Sequence, residues 1–224
     1  MNNDPKLGTA ASDRQWFIVS RWQEYEGEAR ANLLRTIGIG AFYIIELINH
    51  GVQIGALQLP PVVGDRFHQS VTALAVAWTM VALVTLVCLR THVFPAALKF
   101  ATTACDIVLL TAVLLIADGP RSPLVVGYFL IIALAALRLS LKLVWLATLG
   151  SMTGYIFLLG YVKYYAAAER ATAMSVPRYY QMIVLVALAL EGVILGQVIR
   201  RVRTMAEDFA RRLARKDVIG DKTP

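Results

Sequence analysis

Three acids stand inside long apolar runs: Glu46 in the run 33–52, Asp106 in the run 96–117 and Glu191 in the run 179–199. His50 follows Glu46 at i+4, which sets both on one helix face. On insertion scales an ionisable group near the centre of a membrane helix costs roughly 2.5–3.5 kcal/mol, so each must have a partner or a function. Asp106 lies about ten residues into its run, ~15 Å deep at 1.5 Å per residue. The carboxylates are expected to point into a bundle, paired or neutral. Three chemistries suit such a set: hydrogen-bonded acids that join helices, a polar pocket for a small ligand or a proton, or a conducted path. A path calls for broken helices or a continuous polar stripe, and the runs 71–89 and 143–162 have neither. Glu46, His50, Asp106 and Glu191 are thus the candidate ligand site or polar intramembrane cluster. Arg35, Lys99 and Arg138 fall near the inner ends of their runs, where long stems are expected to snorkel to the headgroups.

Other chemistries find no support. No HExxH, P-loop, GxGxxG or GxSxG pattern occurs. The histidines, His50, His68 and His92, divide between the two ends of the runs, which disfavours metal or haem ligation. Cys88 and Cys105 lie in apolar stretches without a CxxC pattern and are expected to be buried thiols. No catalytic residue, metal or cofactor is assigned, and an enzyme is not expected.

The elements that hold these residues follow from composition. The chain has 224 residues, 58% hydrophobic and 17% charged, with a mean hydropathy of +0.60. Soluble domains run nearer ~45–50% apolar and ~25% charged, so an ordinary soluble enzyme is not expected, and disorder is excluded. Runs of about twenty apolar residues without period-2 alternation read as membrane helices rather than barrel strands. Six are expected, at 33–52, 71–89, 96–117, 123–139, 143–162 and 179–199, giving an all-α polytopic membrane bundle. The tight turn Asp118-Gly119-Pro120-Arg121-Ser122 joins the third and fourth, with Ser122 as N-cap and Pro123 at the first helical position. Residues 1–31 form a polar tail and an interfacial helix, with Trp16, Val19 and Trp22 on one side. Residues 200–224 form a basic amphipathic helix and tail, in which Val202, Ala206, Phe209 and Leu213 make a short a/d-like seam.

With both termini on the cytoplasmic side, that side carries 17 Lys and Arg and the other 5. The positive-inside rule selects this orientation in the inner (plasma) membrane, with the first span as an uncleaved insertion signal. The net charge of +7 then serves as topology anchors and phospholipid contacts rather than for nucleic acid. Between spans the contacts should be close packing of small residues. Gly150 with Gly154, and Gly192 with Gly196, supply two small-xxx-small pairs, and the fifth and sixth spans are expected to touch. A homodimer face is the alternative use of these pairs. The basic helix either hugs an anionic leaflet or continues the sixth span as a short stalk.

The stretch ACDIVLLTAVLLIADGPRSPLVVGYFLIIALAALRLSLKLVWLAT (104–148), with NLLR (32–35) and AFYIIELINH (41–50), resembles the membrane input region found ahead of bacterial sensor histidine kinases, Ser/Thr kinases and nucleotide cyclases. The likeness covers roughly 30–200 and rests on helix and turn chemistry. It implies a coiled stalk after the last span and carries over no catalytic residue or ligand. No output module follows in this sequence, which ends at Pro224. The resemblance therefore implies a sensor-like or regulatory module that acts on a separate protein partner, through the C-terminal helix or the small-residue faces. The competing expectations are an accessory structural subunit of a larger membrane complex and a small transporter.

Overall fold

The computed structural model describes residues 5–50, 53–54, 57–58, 65–91, 97–165 and 174–220, with side chains for 25–48, 66–91, 97–165, 174–206 and 208–209. Six helices make up nearly all of it. They are α1 (Pro5–His50), α2 (Asp65–Arg90), α3 (Leu98–Ile116), α4 (Val126–Leu137), α5 (Leu141–Tyr164) and α6 (Arg178–Gly220). Between α1 and α2, Gln53–Ile54 and Leu57–Gln58 form a two-residue antiparallel pair.

Five helices hold segments long and apolar enough to cross a membrane: Tyr25–Ile48, Arg66–Arg90, Leu98–Ile116, Leu141–Tyr164 and Arg178–Ala206. The sixth apolar helix, Pro123–Leu137, is shorter. At 1.5 Å per residue its 15 residues reach about 22 Å, against a hydrocarbon core of ~30 Å. It is nonetheless the most central element. α4 packs against α1, α3, α5 and α6, while α1, α2, α3, α5 and α6 follow one another around it. Tyr128 and Ile132 are wholly buried on it, within a core that includes Leu114, Leu143, Leu158 and Leu188. The outward faces of α1, α2, α5 and α6 carry exposed Ile, Leu and Val, such as Ile45, Val84, Leu149 and Ile194. An apolar exterior around an apolar core is the pattern of a helix bundle in lipid.

Two helices are much longer than a bilayer requires. α1 runs unbroken for 46 residues, about 70 Å. Residues 13–31 therefore continue the first membrane helix instead of forming a separate interfacial one. Among the described side chains its apolar segment spans Tyr25–Ile48, and it holds Glu28 and Asn32, which find partners inside the bundle. The side chains of Trp16, Val19 and Trp22 lie outside the described residues. α6 likewise continues for 43 residues, past its apolar segment to Gly220. Val202, Met205 and Phe209 are exposed on that extension, and the side chain of Leu213 is outside the described set.

Two short turns link α3 to α4. Gly119–Arg121 forms one 3-10 turn and Pro123–Val125 a second. Gly119 has φ of 61°, where a side chain would be strained. Ser122 Oγ accepts from the Leu124 N–H at 3.3 Å, with Pro123 at the first helical position. Asp118 and Arg121 are exposed on the same turn.

The glycines act at specific crossings. A side chain at Gly150 would meet Ile107 of α3 at 2.6 Å, and one at Gly154 would meet Tyr128 Oη of α4 at 2.8 Å. One at Gly192 would overlap Thr148 of α5, and Gly196 lies beside Leu141. So α5 and α6 do touch, but only the α6 pair serves that contact. The α5 pair admits α3 and α4 instead.

Candidate functional site

Arg35, Asp106 and Trp78 meet near the middle of the apolar segments of α1, α3 and α2. Arg35 Nη2 donates to Asp106 Oδ2 at 2.8 Å and Nε to the same oxygen at 3.1 Å. Trp78 Nε1 donates to Asp106 Oδ1 at 2.8 Å. Arg35 Nη1 reaches Asn32 Oδ1 at 2.9 Å, and Asn32 Nδ2 donates to the Ala82 carbonyl of α2 at 3.1 Å. One carboxylate thus ties three helices. The guanidinium and the carboxylate are 2% and 5% exposed, so neither retains appreciable contact with its surroundings.

A second buried pair sits about two turns away along α1. Arg138, in the turn between α4 and α5, donates through Nη2 to Glu28 Oε1 at 2.7 Å. Its Nη1 donates to Thr103 Oγ1 at 2.6 Å and to the Lys99 carbonyl at 3.1 Å. Glu28 Oε2 and Arg138 Nε are buried without a hydrogen-bond partner, so the pair is single-pronged. Gly27 lets α1 come this close, since a side chain there would stand 3.2 Å from the Leu137 carbonyl.

Neither Arg35 nor Arg138 snorkels, contrary to the sequence expectation. Each is drawn inward because a buried carboxylate on another helix compensates its charge in a low-dielectric setting. Lys99 is half-buried, with its ammonium 5.9 Å from the Phe100 ring centroid. Cys105 is exposed and Cys88 half-buried, so the expectation of two buried thiols also fails. Position 105 adjoins Asp106 on α3, and an inward Asp106 turns its neighbour outward.

Glu46 lies at the other end of the α1 segment. His68 Nδ1 of α2 stands 2.9 Å from its Oε2 and 3.1 Å from its Oε1. The partner of Glu46 among the described side chains is therefore His68 rather than His50, whose side chain is outside them. Tyr43 Oη pairs with Thr72 Oγ1 at 3.2 Å one turn deeper, across the same two helices.

The three expected cluster residues with described side chains, Glu46, Asp106 and Glu191, do not converge, and the side chain of His50 is outside the described residues. Asp106 is central, Glu46 is at one end of the described part of α1, and Glu191 is on α6. Glu191 Oε2 is buried without a hydrogen-bond partner, as are Ser151 Oγ and Tyr155 Oη of α5. Sequence reasoning found Asp106 and missed its cation, because Arg35 was assigned to the membrane surface by position alone. Glu28 was missed because it lies outside the expected span. Trp78 offered no signal beyond an indole in an otherwise apolar run.

A cleft of about 490 Å³ has walls from α1, α2, α3 and α4, and Arg35, Asp106, Trp78 and Glu46 are among the residues that line it. The remaining lining is aliphatic or aromatic but for Tyr43. Among the described residues, no group of three or more His, Cys, Asp or Glu side chains could hold a metal ion.

No family model, curated protein or solved structure matches this chain. The class is fixed by the fold itself: an α-helical bundle with the length and composition of a multi-pass membrane protein.

Proposed function

We propose that this chain is a sensor-like or regulatory membrane module, in which the state of the buried α1–α2–α3 junction is passed to α6 and read there by a protein partner. In this reading α4 is a sixth crossing, both termini are cytoplasmic, and the membrane is the inner membrane. The excess of Lys and Arg at the two termini and at the Arg138 turn supports that orientation.

One observation carries the reading. Arg138 and Leu139, adjacent residues of the α4–α5 turn, are held from opposite sides. Arg138 is gripped by Glu28 of α1. The Leu139 carbonyl accepts from Arg203 Nη2 of α6 at 2.6 Å. Leu139 has φ of 49°, a left-handed conformation that is strained for a branched aliphatic residue. A helix carrying both buried arginine contacts, α1, is therefore joined through one strained turn to the start of the α6 extension. A movement of α1 that alters the Glu28 contact must also alter the seat of Arg203. Regulation through this linkage requires two packings of the turn and an input that favours one of them.

The accessory-subunit reading is weaker in its stated form. Gly150, Gly154, Gly192 and Gly196 are used within the chain, which leaves no small-residue face among them for a larger complex.

The test is a coupling experiment in nanodiscs. A single cysteine replaces Met205, which is exposed on α6, in a chain with Cys88 and Cys105 changed to serine. Maleimide labelling of that cysteine is expected to change at least twofold on Asp106→Asn, and on Trp78→Phe as a gentler perturbation. In an Arg203→Ala background the same substitutions should leave the rate unaltered. Parent-like labelling in both variants, or an equal change with and without Arg203, would refute the proposal.

A further inference from the structure

We infer that Glu46 and His50 of α1, with Asp65 and His68 of α2, bind one divalent transition-metal ion of the zinc class. The inference concerns one end of the α1–α2 pair and stands apart from the sensor reading.

The register of the two helices brings the four positions together. Asn32 Nδ2 donates to the Ala82 carbonyl, Tyr43 Oη pairs with Thr72 Oγ1, and Glu46 meets His68. Each step forward on α1 is matched by a nearly equal step back on α2, so the helices run antiparallel in one constant register. His50 stands seven residues beyond Tyr43, and Asp65 seven before Thr72. Seven residues make close to two turns at 3.6 residues per turn. Each therefore returns to the face of its helix that makes the Tyr43–Thr72 contact. α1 extends to His50 and α2 begins at Asp65, and the register sets these two positions opposite each other, one turn beyond Glu46 and His68. The side chains of His50 and Asp65 lie outside the described residues, and it is their positions on the two helices that carry the argument.

The spacing within each helix is that of metal ligands. Glu46 and His50 are i and i+4, and Asp65 and His68 are i and i+3. Helix-borne metal sites use both separations, because both keep to one face. His68 Nδ1 stands 2.9 and 3.1 Å from the two oxygens of Glu46. One proton occupies that space, whichever atom carries it. Nitrogen and oxygen ligands at ~2.0–2.2 Å from zinc stand about 3.0–3.5 Å from one another. An ion can thus take the proton's place with small shifts of two side chains, the proton leaving to solvent.

The ligand chemistry selects the ion. Two imidazoles favour zinc and its neighbours over magnesium and calcium, which take oxygen ligands. Two carboxylates cancel the double charge of the ion while the imidazoles stay neutral. The loaded site then adds no net charge at the edge of an apolar bundle, where an uncompensated ion is costly. It lies where the apolar segments Tyr25–Ile48 and Arg66–Arg90 end, so an ion reaches it without crossing hydrocarbon.

The full chain, without an affinity tag, is stripped with chelator in nanodiscs and titrated with cobalt(II), whose visible absorption reports nitrogen and oxygen ligation. The expected curve saturates at one ion per chain, and zinc then displaces the cobalt while magnesium does not. His50→Gln, Asp65→Asn and His68→Gln should each weaken binding at least tenfold. His92→Gln, beyond the opposite end of α2, should bind as the parent does. Asparagine at position 65 keeps the capping capacity of aspartate at the start of α2, so a loss there reads ligation rather than helix stability. Absence of a saturable cobalt spectrum, or parent-like affinity in either His50→Gln or Asp65→Asn, would overturn the site and leave Glu46 and His68 as a contact between helices only. Should His68→Gln fail to elute as a folded species, the two outer variants, which keep the Glu46–His68 contact, decide the question.

Discussion

Arg35 presents two nitrogens to a single oxygen of Asp106, Nη2 at 2.8 Å and Nε at 3.1 Å from Oδ2, and leaves Oδ1 to Trp78. The geometry divides the carboxylate between two helices while its charge is compensated by one. In Asp106→Leu the buried guanidinium loses its counter-charge, and stability should fall by about 3–5 kcal/mol. The paired change Arg35→Met with Asp106→Leu removes both charges. It should recover all but the losses at Trp78, whose N–H is then left unpaired, and at Asn32, whose Oδ1 loses the Arg35 donor, about 1–3 kcal/mol each. Thermal unfolding in detergent measures both. A double variant as unstable as the single one would show that charge compensation is not what holds the junction.

Arg138 makes a different demand. Its planar fork spans Glu28, Thr103 and the Lys99 carbonyl at once. A lysine carries the charge but not the fork. Arg138→Lys should therefore sit between the parent and Arg138→Met, which strands Glu28 in an apolar setting at a cost of about 3–5 kcal/mol. The order parent, Lys, Met in melting temperature is the expected outcome. Equal melting of Lys and Met variants would mean that the positive charge contributes nothing.

The glycines divide into two groups with opposite expected responses. Gly192 faces Thr148 at overlapping distance, and Gly154 faces Tyr128 Oη and Thr111 Oγ1 at 2.8 and 2.9 Å. Alanine at either must push α5 from its neighbours, and a loss of about 1–3 kcal/mol is expected from overpacking. Gly40 has nothing within 4 Å, and Gly40→Ala should gain up to about 1 kcal/mol from helix propensity. A set of alanine variants compared by chemical denaturation reads the sign at each position. A uniform response would contradict the crossing geometry.

These contrasts also mark what the sequence could and could not reveal. Apolar run lengths located the six long helices among the described residues though not the extent of the first, and the Ser122-Pro123 pair marked the start of the turn into α4. Asp106 stood out because a lone carboxylate in a Leu-rich run must have a partner. The identity of that partner was not legible. Arg35 and Arg138 have stems long enough either to reach a headgroup or to turn inward, and only three-dimensional pairing decides between the two. Gly150 and Gly192 look alike as members of small-xxx-small pairs, yet they serve different neighbours, since a spacing of four fixes a face and not what lies against it. The cleft had no sequence signature, because a cavity is defined by what four helices leave unfilled.

Leu139 offers a test of whether strain is stored at the inner turn. Its φ of 49° falls in the left-handed region, and its side chain is 43% exposed. For a residue with a branched side chain that conformation costs roughly 1–2 kcal/mol, whereas asparagine adopts it with less penalty. Little packing is lost, because the leucine is not enclosed. Leu139→Asn should therefore raise stability by about 1 kcal/mol while the carbonyl keeps its bond from Arg203. If the strain takes part in coupling α1 to α6, the same variant should also lessen the effect of Asp106→Asn on labelling at position 205. Melting temperature and labelling rate thus report on one substitution from two sides. A gain in the first with no change in the second would leave the turn a local strain with no part in transmission.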